Sequence, residues 1–492
     1  MMNHLINQLI QYGIQEDILN MVDRDYATNQ LLFLLKLDHF EREEITESID
    51  FFSVMPTILT EAYNKGLIPS DSIQDFDHFE AKLMDALMPR PSQMEQRFRQ
   101  LYKKAPVYAT NDFYRFSQKT NYIKTERIKK NIHFVYEGKY APLDISINLS
   151  KPEKDPKKIA LQSKIDENNY PKCALCMENV GFFGDENHAS RSNHRVITLT
   201  LNHEKDQWGF QYSPYSYFNE HAIILKKDHI PMHVNVDTLN ELVDFVNQFP
   251  HYTIGSNAEL PIVGGSILNH YHFQGGKADF PIEKARVLRE YKVRKTKVEI
   301  LDWPMSVIRV SGGSEFKVLD VVTDILNAWK NYNNPDLNIY AKTNDEEHNT
   351  ITPILTIKEG KYQFYIILRN NLTTEERPYG VFHPREEYFH IKKENIGLIE
   401  VMGLAILPGR LMKELDEIKK VLSQNHSIDQ FPDLEKHEAW IETMKKEKTS
   451  EENINQFLYN QVGMIFEKVL EDCGVFKAED KHEFFRFIEK TI

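Results

Sequence analysis

The run Gly264-Gly-Ser-Ile-Leu-Asn-His270-Tyr-His272-Phe-Gln274-Gly-Gly276 decides how this chain is read. The spacing predicts a glycine-punctuated strand over Ile262–His272 that carries the motif. Residues two apart on a strand share a face, so His270, His272 and Gln274 are expected side by side, with Tyr271 on the opposite face. Glycines ahead of the pair, Gly265 among them, let an anion such as phosphate approach the backbone N–H groups. Gln274 can donate an amide N–H to a phosphoryl oxygen. An imidazole whose Nδ1–H is held by a carbonyl presents a bare Nε2, which can attack phosphorus. The bare pair is equally compatible with a partly buried structural histidine or a fragment of a metal site. The flanking Gly-Gly-Ser, the same-face glutamine and the trailing Gly-Gly favour the chemical alternative.

Outward from the motif, Leu143, Ile145, Ile147 and Leu149 alternate with polar neighbours, as do Ile197, Leu199 and Leu201, so both stretches read as half-buried strands. Further strands are expected at 209–212, 222–225, 307–310, 354–357 and 362–368. Helices are expected over 238–249, with Asp237 as N-cap, over 316–332 and over 395–417. Residues 1–130 read as mostly helical, with Leu5, Ile6, Leu9, Ile10, Ile14 and Ile18 at helical spacing, and Met88-Pro-Arg-Pro-Ser92 stops one helix. The C-terminus is helical again, with Ile454, Phe457, Leu458, Ile465 and Val469 on one face. The expected fold is α+β: a mixed or antiparallel sheet core, in two related halves, with helical additions at both ends. We divide it into a helical region 1–130, a domain 131–290 carrying the motif, and a C-terminal α+β domain 291–492.

Composition narrows the function. The chain has 492 residues and a formal net charge of -13, which argues against a broad nucleic-acid-binding face. No run of about 18 apolar residues occurs, so no membrane span is expected. The start, MMNHLINQLIQYGIQED, lacks the marks of a signal peptide. Three cysteines in so long a chain make no disulfide framework and suggest a reducing, cytoplasmic setting. Cys173-x-x-Cys176 has the spacing of half a zinc site, although a buried pair or a redox motif is equally open.

The run Leu260–Gly276 resembles the signature of the class II galactose-1-phosphate uridylyltransferases found in bacteria. Asn148–Pro156, Cys173–Gly181, Gln211–Tyr215, Asn219-Glu-His221, Trp303–Arg309 and His390–Gly403 match that family as well. Glu259, Asn269 and Tyr271 depart from the usual pattern, and Arg385–Phe389 has fewer histidines than is usual. More widely, Gly209–Ile230 followed by His-x-His is similar to the histidine-triad proteins, in which the second histidine is the nucleophile. There, transferases carry glutamine where hydrolases keep a third histidine, and neutral glutamine cannot act as a general acid.

The resemblance implies transfer of UMP from UDP-glucose to galactose 1-phosphate, giving glucose 1-phosphate and UDP-galactose by a ping-pong course. His272 would be the nucleophile, Gln274 would hold the phosphoryl oxygen, and the His270 carbonyl would orient the ring. Related enzymes complete the metal site with the equivalents of His229 and His270, which implies a structural zinc on Cys173, Cys176, His229 and His270. Asn257 and Ser266 fall where the family contacts phosphate, although either also suits a turn. Lys392 and Lys393 are expected to start a helix, a ready anion site or a solvated charge cluster. In related enzymes this region reaches the partner's pocket, which implies a homodimer. Tyr212, Tyr215 and Phe218 suit either a uracil stack or the core, and His221 is free to orient the site's face. The alternatives are a nucleotide phosphorylase or hydrolase of the histidine-triad type, and a non-catalytic nucleotide-sugar sensor.

Overall fold

The structure, a computed structural model, describes residues 1–149, 170–184, 189–202, 205–265, 267–424, 426–448 and 453–492. The expected loop at 151–158 and Ser266 lie outside them. Seven helices come first: α1 (Met2–Gln15), α2 (Arg24–Leu34), α3 (Phe51–Asn64), α4 (Ile73–Asp85), α5 (Pro91–Tyr102), α6 (Pro106–Lys119) and the short α7 (Thr125–Ile128). Pro91 opens α5 at the first helical position, where a missing N–H costs nothing. Among the described residues, no helix is long and apolar enough to cross a membrane.

Strands β1 (Ile132–Glu137) and β2 (Pro142–Asn148) follow, then β3 (Ile197–Leu201), β4 (Asp206–Tyr212), β5 (Ala222–Lys226), helix α8 (Val236–Gln248), β6 (Thr253–Ser256) and β7 (His272–Gly276). The second half runs β8 (Arg286–Val293), β9 (Thr296–Asp302), β10 (Val307–Gly312), α9 (Glu315–Lys330), a small hairpin β11 (Lys342–Thr343) and β12 (Glu346–Glu347), β13 (Asn349–Lys358) and β14 (Lys361–Asn370). After them come α10 (Leu398–Val401), β15 (Leu404–Pro408), α11 (Arg410–Gln424), α12 (Glu438–Glu447), α13 (Ile454–Cys473) and α14 (Lys481–Thr491).

Ten strands form one sheet in the order β3-β4-β5-β7-β6-β13-β14-β10-β9-β8. Each half repeats one pattern, with its fifth strand between its third and fourth and a helix crossing over before the fourth. The halves meet where β6 pairs antiparallel with β13, Gly255 opposite Ile354. A two-fold relation through that pair carries Gln274, opposite Gly255, onto Tyr365, opposite Ile354. His270-Tyr-His272-Phe-Gln274 therefore superposes in register on Lys361-Tyr-Gln363-Phe-Tyr365. Tyrosine and phenylalanine, which face the helices, are the same in both halves; the histidines occur only in the first.

Alternation along the strands sorts the core into two layers. Tyr271, Phe273, Ile254, Leu355, Phe364 and Ile366 pack under α8, α9 and the N-terminal helices. Ile354, Tyr365, Ile367 and Val307 face the other way, toward a small sheet β1-β2-β15 and helices α11–α13. Parallel pairing of β2 with β15 ties residues 144–148 to 404–408.

Three local expectations are corrected. The motif strand begins at His272, not Ile262: among the described residues between β6 and β7, only the isolated bridge between Ala258 and Gly264 has strand-like pairing. Asn235 rather than Asp237 caps α8, its Oδ1 accepting the Thr238 N–H at 3.1 Å. The single helix over 395–417 is broken into α10, β15 and α11. Gly403 there takes φ +95, a left-handed conformation that ends α10. Lys392 and Lys393 consequently precede the helix rather than starting it.

Candidate active site

β7 lies between β5 and β6, with Leu225 opposite His272 and Ile223 and Gly255 flanking Gln274. Its outer face is anchored by aromatic rings. Trp208 stacks on Phe273 at 4.9 Å and meets Tyr271 at 5.3 Å. The Tyr271 hydroxyl donates to Glu241 at 2.6 Å, and burial pushes that carboxyl up to about 7. With those rings fixed, His272 and Gln274 must point to the opposite face.

His272 is 4% exposed. Its Nδ1 lies 2.7 Å from the His270 carbonyl oxygen, and burial pushes the imidazole down to about 4. The ring is therefore neutral near pH 7. Since a carbonyl only accepts, Nδ1 carries the proton and Nε2 keeps its lone pair. His270, although two residues away, serves a different purpose. Its Nε2 donates to the Lys226 carbonyl at 2.8 Å, and its Nδ1 faces Cys173 Sγ at 3.2 Å. The pair is thus divided: the His272 ring is held by a backbone carbonyl, whereas the His270 ring faces the thiols.

Beside His272, Gln274 Oε1 meets His221 Nε2 at 3.1 Å. Asn257 Oδ1 accepts the Leu398 N–H at 2.8 Å, bringing the start of α10 over the sheet. Gly255 permits that approach: a Cβ there would sit 2.7 Å from Leu398 Cδ1. A Cβ on Gly265 would lie 2.7 Å from Asn257 Nδ2, so Asn257 spans the glycine loop and the α10 start. Asn257 is buried and acts first as a clamp between the two.

Cys173, Cys176, His229 and His270 converge with their ligand atoms within 4.8 Å of one another. The two sulfurs are 3.6 Å apart, and Cys176 Sγ lies 3.1 Å from His229 Nδ1. Bond lengths for tetrahedral zinc place ligand atoms about 3.3–3.8 Å apart, so these residues fit a metal ion with small adjustments. The Lys226 carbonyl fixes the His270 tautomer that leaves Nδ1 free to ligate, as outer partners of metal-bound histidines do.

Other expected residues are placed as follows. Lys392 is buried between Glu400 and Glu394, at 3.0 and 3.1 Å, whereas Lys393 is exposed with its ammonium over the Phe389 ring. Tyr212 belongs to the core, its hydroxyl bonded to Tyr252 and the Thr110 carbonyl. Tyr215 stacks on Tyr217, and Phe218 packs on His221. Arg385, in the segment with fewer histidines, binds Asp472 of α13 at 3.0 Å. The sequence reading missed Tyr217, whose signal was the aromatic run just before His221. It also missed Met232, whose Sδ accepts the His272 N–H at 3.3 Å, and Met232 has no local signature.

Residues 18–231 match the family model described as galactose-1-phosphate uridyl transferase, N-terminal domain, and 240–441 match its C-terminal domain. The chain is 43% identical to the galactose-1-phosphate uridylyltransferase of Bacillus subtilis, over 99% of this chain and 97% of that one. It is 44% identical to that of Clostridium acetobutylicum, over 97% of both. Among solved structures it is similar to yeast Ap4A phosphorylase Apa2, at 10% identity and a TM-score of 0.35, over 67% of this chain and 91% of that one.

Proposed function

The chain belongs to the galactose-1-phosphate uridyl transferase family, and from that premise we propose that it moves UMP from UDP-glucose to galactose 1-phosphate through His272. It is a uridylyltransferase. His272 Nε2 attacks the α-phosphorus of UDP-glucose, a P–N bond forms, and the bond to the β-phosphate oxygen breaks to release glucose 1-phosphate. Galactose 1-phosphate then attacks the same phosphorus, breaks the P–N bond and leaves as UDP-galactose. No proton crosses between the two sugar phosphates, so a neutral glutamine suffices where hydrolysis would call for an acid. Gln274 donates to a non-bridging α-oxygen in both steps, which stabilises the charge that builds there.

The observation that carries this proposal is the His272 ring held by the His270 carbonyl at 2.7 Å, with its other nitrogen unprotonated and Gln274 on the same face. Gly265, Ser266 and Asn257 would contact the phosphates. Zinc on Cys173, Cys176, His229 and His270 would supply a structural crosslink that braces the residue two before the nucleophile. The family resemblance further supports a cytoplasmic homodimer in which Lys393, exposed at the surface, reaches the partner's pocket. Denaturing mass spectrometry after exposure to UDP-glucose tests the proposal. One uridylyl group, mapped to His272, is expected; an unmodified chain, or an adduct elsewhere, overturns it.

A further inference from the structure

A side-chain amide is two-handed. Turned one way, Gln274 offers two N–H donors to a phosphoryl oxygen; turned the other, it offers a carbonyl oxygen that repels it. What decides between them is the group on its far side. His221, which ends the Asn219-Glu-His221 turn ahead of β5, is 2% exposed and sits with Nε2 3.1 Å from Gln274 Oε1. Its ring is gripped by Phe218 at 4.5 Å and Tyr217 at 5.3 Å between centroids, so it cannot easily swing away. Its Nδ1 is buried and has no hydrogen-bond partner among the described residues. Buried unpaired N–H groups are rarer in proteins than under-satisfied acceptors. The single proton of the neutral ring therefore belongs on Nε2, where Gln274 Oε1 accepts it.

We propose that His221 is a positioning residue that fixes the Gln274 amide with its nitrogen toward the phosphoryl group, making Gln274 a one-way donor. This rests on the uridylyl-transfer proposal above and adds a residue to it. A flipped amide would lose its bond to His221 and would bring two acceptors together at the phosphate. In this proposal His221 acts through Gln274, the residue its Nε2 meets.

The test is a double-mutant cycle read by the rate of uridylylation of His272. His221→Phe keeps an aromatic ring between Tyr217 and Phe218 but removes the N–H. It should slow uridylylation about 10–100-fold, a little less than loss of an oxyanion donor outright, with the Kd for UDP-glucose within about threefold. In a Gln274→Ala background the same change should cost nothing further. His221→Asn, whose amide can donate, should recover part of the lost rate. An unchanged rate in His221→Phe, or a full additional loss in the Gln274→Ala background, overturns the proposal. Should His221→Phe fold poorly, the 15N shifts of His221 in the wild-type protein decide: a protonated Nε2 is expected, and a protonated Nδ1 overturns it. A wild-type chain that acquires no uridylyl group at all would instead strike at the transfer proposal itself.

Discussion

Glu241 is the buried acid that meets Tyr271 just ahead of β7, and replacing it by glutamine gives a prediction whose size follows from the structure. Burial holds its carboxyl at about 7 in place of the ordinary 4.5, while the Tyr271 hydroxyl and more distant Lys226 pull the other way. The folded chain therefore keeps the Glu241 proton over a range in which the unfolded chain has lost it. With a folded pKa raised above the unfolded one, the contribution is fully present below about pH 4.5 and is lost as pH rises through about 7. Linkage between those two values gives about 2.5 kcal/mol of relative destabilisation of the wild type between pH 5 and pH 8. Glu241→Gln still accepts from Tyr271 and does not titrate. Urea titrations of both proteins, run in parallel at several pH values, should show the variant gaining on the wild type by about that amount. A stability difference that stays flat from pH 5 to 8, or moves in the opposite sense, would refute the placement of a neutral Glu241 beneath Tyr271.

Other outcomes follow from the same geometry. His272→Gly should lose uridylyl transfer by at least about 10^4-fold, as loss of a nucleophile does elsewhere, while its circular dichroism and melting temperature stay near wild type. Freshly purified protein should carry one zinc per chain by metal analysis, and Cys176→Ser should drop well below that and melt at a lower temperature. A side chain at Gly463 of α13 would collide with the ring of Tyr136 on β1, so Gly463→Leu should destabilise by about 1–3 kcal/mol or more in chemical denaturation.

The site was legible in the sequence where its signal is local. His272, Gln274 and the glycines lie within a dozen residues, and a period of two predicted their shared face. His270 was paired with His272 on a strand, but it lies just before β7, and its ring is claimed by thiols 97 and 94 residues away in sequence. Nothing in the motif itself tells which of the two histidines turns to the thiols. The strands were found for the same local reason. Their union into one sheet was not, because it depends on β6 meeting β13 across about a hundred residues, a pairing with no local pattern. The segment after Asn395 looked helical because its apolar residues are dense. A left-handed Gly403 and the pairing of β15 with β2 overrode that propensity.

With transfer through His272 as proposed, the register match between the halves also bears on how much nucleotide a chain can carry covalently. Where the first repeat places an imidazole on its sheet, the second places Gln363, and an amide forms no phosphoramidate. Loading with UDP-glucose should accordingly saturate at a single covalent nucleotide per polypeptide, however many repeats the fold contains. The repeat without histidines is then best understood as a foundation: it keeps the tyrosine and phenylalanine that seat its central strand, and it widens the sheet beside the histidine-bearing half.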